Sequence, residues 1–240
     1  MSCDDDRVHG LRGSIWTAAT WFVPAPAPIF APLADAFRLQ RTLREPTRGV
    51  ALTFDDGPHR EGTSATLEML GDAGARATFF LVGEQVDRYP ELAADIAACG
   101  HEIGLHGYRH HLLLRRSVGS LARDLDRAVD AIVSATGQTP RCYRPPYGVF
   151  SAGALELVRQ RGWQPVLWSK WGRDWTRRAT AATITRNAVG GLAGGDIVLL
   201  HDADHYSAPG SWRKTVAALP RVLEAAEGLG VPWVPLTPPT

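Results

Sequence analysis

A chain of 240 residues with 45% hydrophobic side chains is long enough for one large domain with a sizeable core. Its 26 basic and 25 acidic residues leave a formal net charge of +1 with no basic stripe, which gives no reason to expect a nucleic-acid partner. Three widely spaced cysteines, Cys3, Cys99 and Cys142, argue against a disulfide framework or a cysteine-ligated zinc and read as buried free thiols.

From Ser14 to Ala34 the chain carries no charge, as a membrane span would, but Pro24, Pro26, Pro28 and Pro32 break a spanning helix. A secretory signal would use Ile15 to Val23 and the small-residue site Ala25-Pro26-Ala27. Against it, two threonines interrupt the run, and Asp4, Asp5 and Asp6 stand where basic residues belong. Residues 1–47 therefore read as an apolar, Pro-rich extension strapped onto a main domain over 48–240. The compartment stays open between cytoplasm and cell envelope.

From residue 48 a βα rhythm begins. Gly49 to Phe54 is an apolar run halted by Asp55-Asp56-Gly57-Pro58, a strand and then a turn. A helix follows with Thr66, Leu67 and Leu70 on one face. Ala77 to Val82 reads as a second strand, Pro90 to Cys99 as a helix, and Glu102 to Leu105 as a third strand. Leu121, Leu125, Ala128, Val129 and Ile132 recur at helical spacing up to Gly137. Further strands are expected at Cys142-Tyr143, Pro165 to Trp168, Ile197 to Leu200 and Val231 to Val234. Short strands alternating with helices imply parallel βαβ units. About seven of them fit a single-domain α/β fold, a distorted (β/α) barrel.

Polar residues collect where these strands end. Asp55 and Asp56 follow the first strand, His106 and His110 the third, and Arg144 to Tyr147 the fourth. Asp174 and Trp175 follow the fifth, and His201 and Asp202 the sixth. Barrel enzymes assemble their active sites on that face. Two imidazoles four residues apart on a helical turn, with a carboxylate, suit one divalent metal ion with a coordination position left open. Metal-assisted hydrolysis is the chemistry such a set supports. A metal lowers the pKa of its water to about 7 and polarises a carbonyl, a second carboxylate takes the proton, and His201 can protonate a leaving nitrogen.

The segments Thr53 to Pro58 (TFDDGP), His106 to His110 (HGYRH), Arg144 to Gly148 (RPPYG), Arg173 to Trp175 (RDW) and Leu199 to Asp202 (LLHD) resemble, in order, the five motifs of the polysaccharide deacetylase family. This is carbohydrate esterase family 4, with its NodB homology domain, and the resemblance covers roughly residues 48 to 235. It implies a metal-dependent hydrolase that removes acetyl groups from N-acetylated, less often O-acetylated, saccharides. Asp55 would be the base and Asp56, His106 and His110 the ligands of one divalent ion, zinc first and cobalt or another ion as alternatives. Arg144 would hold Asp55 ionised, the Tyr147 backbone N–H would face the developing oxyanion, and His201 would be the acid. Trp175 is the candidate pocket wall, beside Asp174. No protein partner is implied.

Two positions depart from the family pattern. Gly107 stands where the family has Ser or Thr, and Trp171 where the fourth motif has its first Asp, leaving Asp174 or another group to orient His201. Two other readings compete: an amidohydrolase for a small non-sugar amide, and a catalytically inactive glycan-binding module. The complete acid, base and ligand set disfavours a pure binder.

Overall fold

A computed structural model describes residues 18–45 and 49–237. Cys3, Asp4 to Asp6 and the start of the signal-like stretch, Ile15 to Thr17, lie outside the described residues. Among the described residues no helix is long and apolar enough to cross a membrane.

Eight parallel strands form one curled sheet, with helices packed outside it. In chain order the strands are β1 (Val50–Asp55), β2 (Thr78–Leu81), β3 (Glu102–Leu105), β4 (Cys142–Tyr143), β5 (Gln164–Pro165), β6 (Lys170–Trp171), β7 (Ile197–His201) and β8 (Trp233–Val234). The spatial order is β5-β4-β3-β2-β1-β7-β6, and β8 adds to β1. All six residues of β1 are buried, because helices cover one face and side chains fill the other; a continuous apolar run is what such a strand requires.

The helices follow from caps and apolar spacing. In α6 (Val118–Thr136), Ser117 accepts the Ser120 N–H at one end, and Gly137 adopts φ +68° at the other. Between them Leu121, Leu125, Ala128 and Ile132 form the buried stripe. α8 (Ala181–Val189) starts with a capping box between Thr180 and Thr183.

Three local expectations need correction. The strand expected over Pro165 to Trp168 ends at Pro165, and Lys170–Trp171 forms a further strand on β7. The cause is the gap between β5 and β6, which the segment before β1 closes: Gln40 bridges Val166 and Thr42 bridges Asp196. The Gln40 N–H donates to the Pro165 carbonyl at 2.9 Å, and the Leu167 N–H to the Gln40 carbonyl at 2.8 Å. His106 to His110 is a loop rather than a helical turn, because Gly107 adopts φ +95°. Of the cysteines, Cys142 is a buried free thiol, but Cys99 is exposed, at the C-terminal end of α5 (Pro90–Ala98).

Ahead of the barrel lie a single helical turn, α1 (Ala18–Trp21), and α2 (Ala31–Ala36). Ala27, Ala34, Leu39 and Leu43 from this stretch belong to the hydrophobic core.

Candidate active site

Parallel strands put their C-terminal ends on one face, and the polar residues that interrupt those ends meet there. Asp55 closes β1 and lies in register with His201, which closes β7. Asp56 turns the chain away at φ +79°, unusual for a residue with a Cβ. Gly57 is required beside it, since a Cβ there would sit 2.6 Å from the buried Asp202 carboxylate.

Asp56 Oδ1 lies 3.4 Å from His106 Nε2 and 3.3 Å from His110 Nε2. The three ligand atoms all fall within 4.8 Å of one another. Asp56 Oδ1 is buried and accepts no hydrogen bond. A buried carboxylate oxygen without a donor is costly unless something completes it. Two imidazole nitrogens and one carboxylate oxygen are a donor set that suits zinc, and separations near 3.3 Å match the edge of a tetrahedron with bonds of about 2.0–2.1 Å. The residues therefore fit one divalent ion. Burial lowers the His110 pKa to about 4, with Asp56 only partly offsetting it, so the ring is neutral at pH 7, as a ligand must be. Burial opposes ionisation of Asp56, but contact with His106 and the charges of His201 and His110 outweigh it and hold the carboxyl well below its usual range.

His106 is fixed from behind by a 2.8 Å contact between Nδ1 and the Arg144 carbonyl. Its loop needs Gly107: the Ser or Thr of the family pattern would be strained at φ +95°, with its Cβ 3.2 Å from the Arg109 carbonyl.

On the other side of Asp56, Asp55 Oδ1 accepts from Arg144 Nη1 at 2.7 Å. Arg144 is fully buried; it also donates to Thr53 Oγ1 and the Leu167 carbonyl, both at 2.9 Å, and lies 4.1 Å from the Phe80 ring centre. Asp55 Oδ2 stays 3.9 Å from His106 Nε2, on the side of the ligand cluster.

His201 is held by Asp174, which is completely buried. Asp174 Oδ1 meets His201 Nδ1 at 2.9 Å, and Oδ2 accepts from the His201 N–H at 2.7 Å and from Thr215 Oγ1 at 2.8 Å. Burial disfavours the charged ring, but the charge and hydrogen bond of Asp174, then Asp56 and Asp55, raise the His201 pKa to about 10. The Trp171 departure thus leaves the histidine oriented.

A cleft of about 400 Å³ joins these groups. Tyr147, at φ +61°, has its ring centre 4.5 Å from that of His110 in an edge-to-face arrangement, and the Trp175 and His201 ring centres lie 5.5 Å apart. Sequence reasoning missed Tyr206, which stacks on His110 at 4.3 Å while its hydroxyl donates to Glu84 and accepts from Gln85. It also missed Thr215, and it placed Asp202 at a strand end without a role; that carboxyl accepts from Thr63, and burial raises its pKa to about 7. No motif marks Tyr206 or Thr215; only their position after β7 and in α9 (Ser211–Gly228) brings them to the site.

The polysaccharide deacetylase family model matches residues 43–166. A peptidoglycan-N-acetylglucosamine deacetylase from Bacillus cereus is 33% identical over 78% of this chain and 66% of its own length. A chitooligosaccharide deacetylase from Azorhizobium caulinodans is 32% identical over 78% of this chain and 92% of its own. A solved peptidoglycan N-acetylglucosamine deacetylase superposes with a TM-score of 0.78 at 29% identity, over 86% of this chain and 95% of that one. With its motifs at the strand ends, its curled parallel sheet and these relatives, the chain belongs to the polysaccharide deacetylase family.

Proposed function

We propose that this chain is a metal-dependent hydrolase that removes the acetyl group from N-acetylated saccharides. The carrying observation is the orphaned Asp56 Oδ1 between two imidazole nitrogens, with a carboxylate and an oriented histidine beside it. The two deacetylase relatives are named for peptidoglycan N-acetylglucosamine and chitooligosaccharide, and that supports the substrate class.

Asp56, His106 and His110 would hold the ion, zinc or another divalent metal. Bound there, such an ion supplies Lewis acidity toward a water and a carbonyl oxygen. The remaining work belongs to the chain. Arg144 occupies one oxygen of Asp55 and aims the carboxylate, leaving Oδ2 to take a proton from the attacking water. The Tyr147 N–H serves the oxyanion that develops as the carbonyl becomes tetrahedral. Asp174 fills Nδ1 of His201 and leaves Nε2 to protonate the amine as the C–N bond breaks. Trp175 walls the pocket and shields that proton from water. Water and the amide thus yield acetate and a free amino sugar.

Acetate release tests this reading. The protein is assayed on chitin oligomers, peptidoglycan, acetylated xylan and a simple aryl amide, before and after chelation and zinc or cobalt readdition. Release from an N-acetylated saccharide that chelation abolishes and metal restores is expected. Release from the aryl amide alone would contradict it.

A further inference from the structure

Away from its catalytic groups the cleft is mainly apolar, and the apolar side chains come from two places. One wall is the strap before α2: Pro26, Pro28 and Ile29 line the cleft beside the catalytic groups. These residues lie outside the stretch matched by the family model. The other is Trp168 and Trp171, whose rings stack at 5.6 Å and also line the cleft. Trp171 is the residue that replaces a carboxylate of the family's fourth motif.

A saccharide brings hydroxyls that need hydrogen-bond partners. Beyond the catalytic set, the polar side-chain groups of the described residues lining this cleft are the hydroxyls of Tyr147, Tyr206 and Ser207 and the indole N–H donors of Trp168, Trp171 and Trp175. The Tyr206 hydroxyl is already committed to Glu84 and Gln85. No charged side chain lines it apart from the ligands, the base and the acid. Against Pro26, Pro28 and Ile29 a hydroxylated ring meets no side-chain hydrogen-bond partner. An apolar group would gain there instead.

The strap is a fixed wall. Trp21 Nε1 donates to the Leu114 carbonyl at 3.2 Å, and its ring packs so closely on α7 (Ala152–Gln160) that a Cβ on Gly153 would lie 2.5 Å from it. Pro28 presses on Gly148, where a Cβ would meet Pro28 Cγ at 3.2 Å and Trp168 at 2.5 Å. The bridge at Gln40 holds the far end. Ile29 is nonetheless 79% exposed and Phe30 55%, so the apolar surface runs from inside the cleft out past its mouth.

We propose that the preferred substrate is an N-acetylated amino sugar carrying an apolar aglycone, which lies along the apolar surface made by the strap (Pro26, Pro28, Ile29) and the Trp168–Trp171 pair while the acetamide reaches the catalytic groups. The inference rests on the deacetylase reading and names its substrate class more narrowly.

The test compares the methyl and hexyl glycosides of N-acetylglucosamine, with the hexyl compound kept below its micelle concentration. Acetate release gives kcat/KM, and isothermal titration gives Kd. Burying two or more methylenes should favour the hexyl compound by roughly tenfold or more in both readings. In Ile29→Asp that ratio should fall to about threefold or less, while Ile29→Leu keeps it. Acetate release with a ratio near one, or a ratio unchanged in Ile29→Asp, would overturn the inference and leave the deacetylase reading standing. Tighter hexyl binding with no acetate from either compound would support the apolar site and overturn the deacetylase reading.

Discussion

His110 and His201 are both half-buried imidazoles set against a carboxylate on the same cleft, and their hydrogen bonding is opposite. Beside His201 the Asp174 carboxylate is fully engaged: it takes the ring Nδ1, the backbone N–H and the Thr215 hydroxyl, and leaves only Nε2 open. Around His110 the polar atoms are left open, with neither Asp56 Oδ1 nor His110 Nδ1 making a hydrogen bond. The pKa shifts follow the same division, with His201 pushed up to about 10 and His110 down to about 4. A closed network fixes a proton and a ring orientation, whereas an open one with neutral rings and an ionised carboxylate suits a cation. Two sites of similar composition thus serve different chemistry because one of them is finished by the protein and the other is not.

If the open side divides its carboxylates as proposed, Asp55→Asn is the most damaging change that should spare the ligands. It keeps an acceptor for Arg144 but removes the base, so turnover should fall by roughly 10²–10⁴ while metal content holds. It also leaves the buried guanidinium without its counter-charge, at a cost on the order of 3 kcal/mol in urea unfolding. Wild-type turnover in this variant would erase the division of roles.

On the closed side, His201→Ala should cut kcat by about 10²–10⁴ on an N-acetyl substrate. The penalty should be smaller on an activated aryl acetate, whose leaving group needs no proton. Equal penalties on both would make His201 a structural residue.

A subtler change keeps the histidine and alters its partner. Asp174→Asn removes the charge that raises the His201 pKa, while burial still lowers it. The alkaline limb of the pH–rate profile should therefore move to lower pH. The stability sign is also fixed: a raised folded pKa contributes fully below about pH 6.5 and is lost as pH climbs through about 10. In metal-free protein, thermal unfolding should show that alkaline loss in the wild type and lack it in Asp174→Asn.

The open side was largely legible in the sequence, because Asp55, Asp56, His106 and His110 sit in short motifs at the ends of apolar strands. The βα order gave the curled sheet for the same reason: buried parallel strands are continuous apolar runs such as Val50 to Phe54. The closed side was only half legible. Asp174 could equally have been a helix cap, and its bond to Thr215 joins residues 41 apart that no local pattern links. The stitch at Gln40 and Thr42 was invisible because one-residue bridges have no periodicity. The helical turn expected for His106 to His110 failed at Gly107, whose left-handed backbone lets a loop make the same pairing.

The account turns on the open side being a metal site, and metal content reads that directly. Wild type and the His106→Ala/His110→Ala double variant are each dialysed against zinc, freed of excess and analysed by elemental mass spectrometry. With folding of both checked by circular dichroism, the wild type should retain one ion per chain and the double variant close to none. One ion per chain in both would contradict the assignment of Asp56, His106 and His110 as ligands, and with it the proposed chemistry.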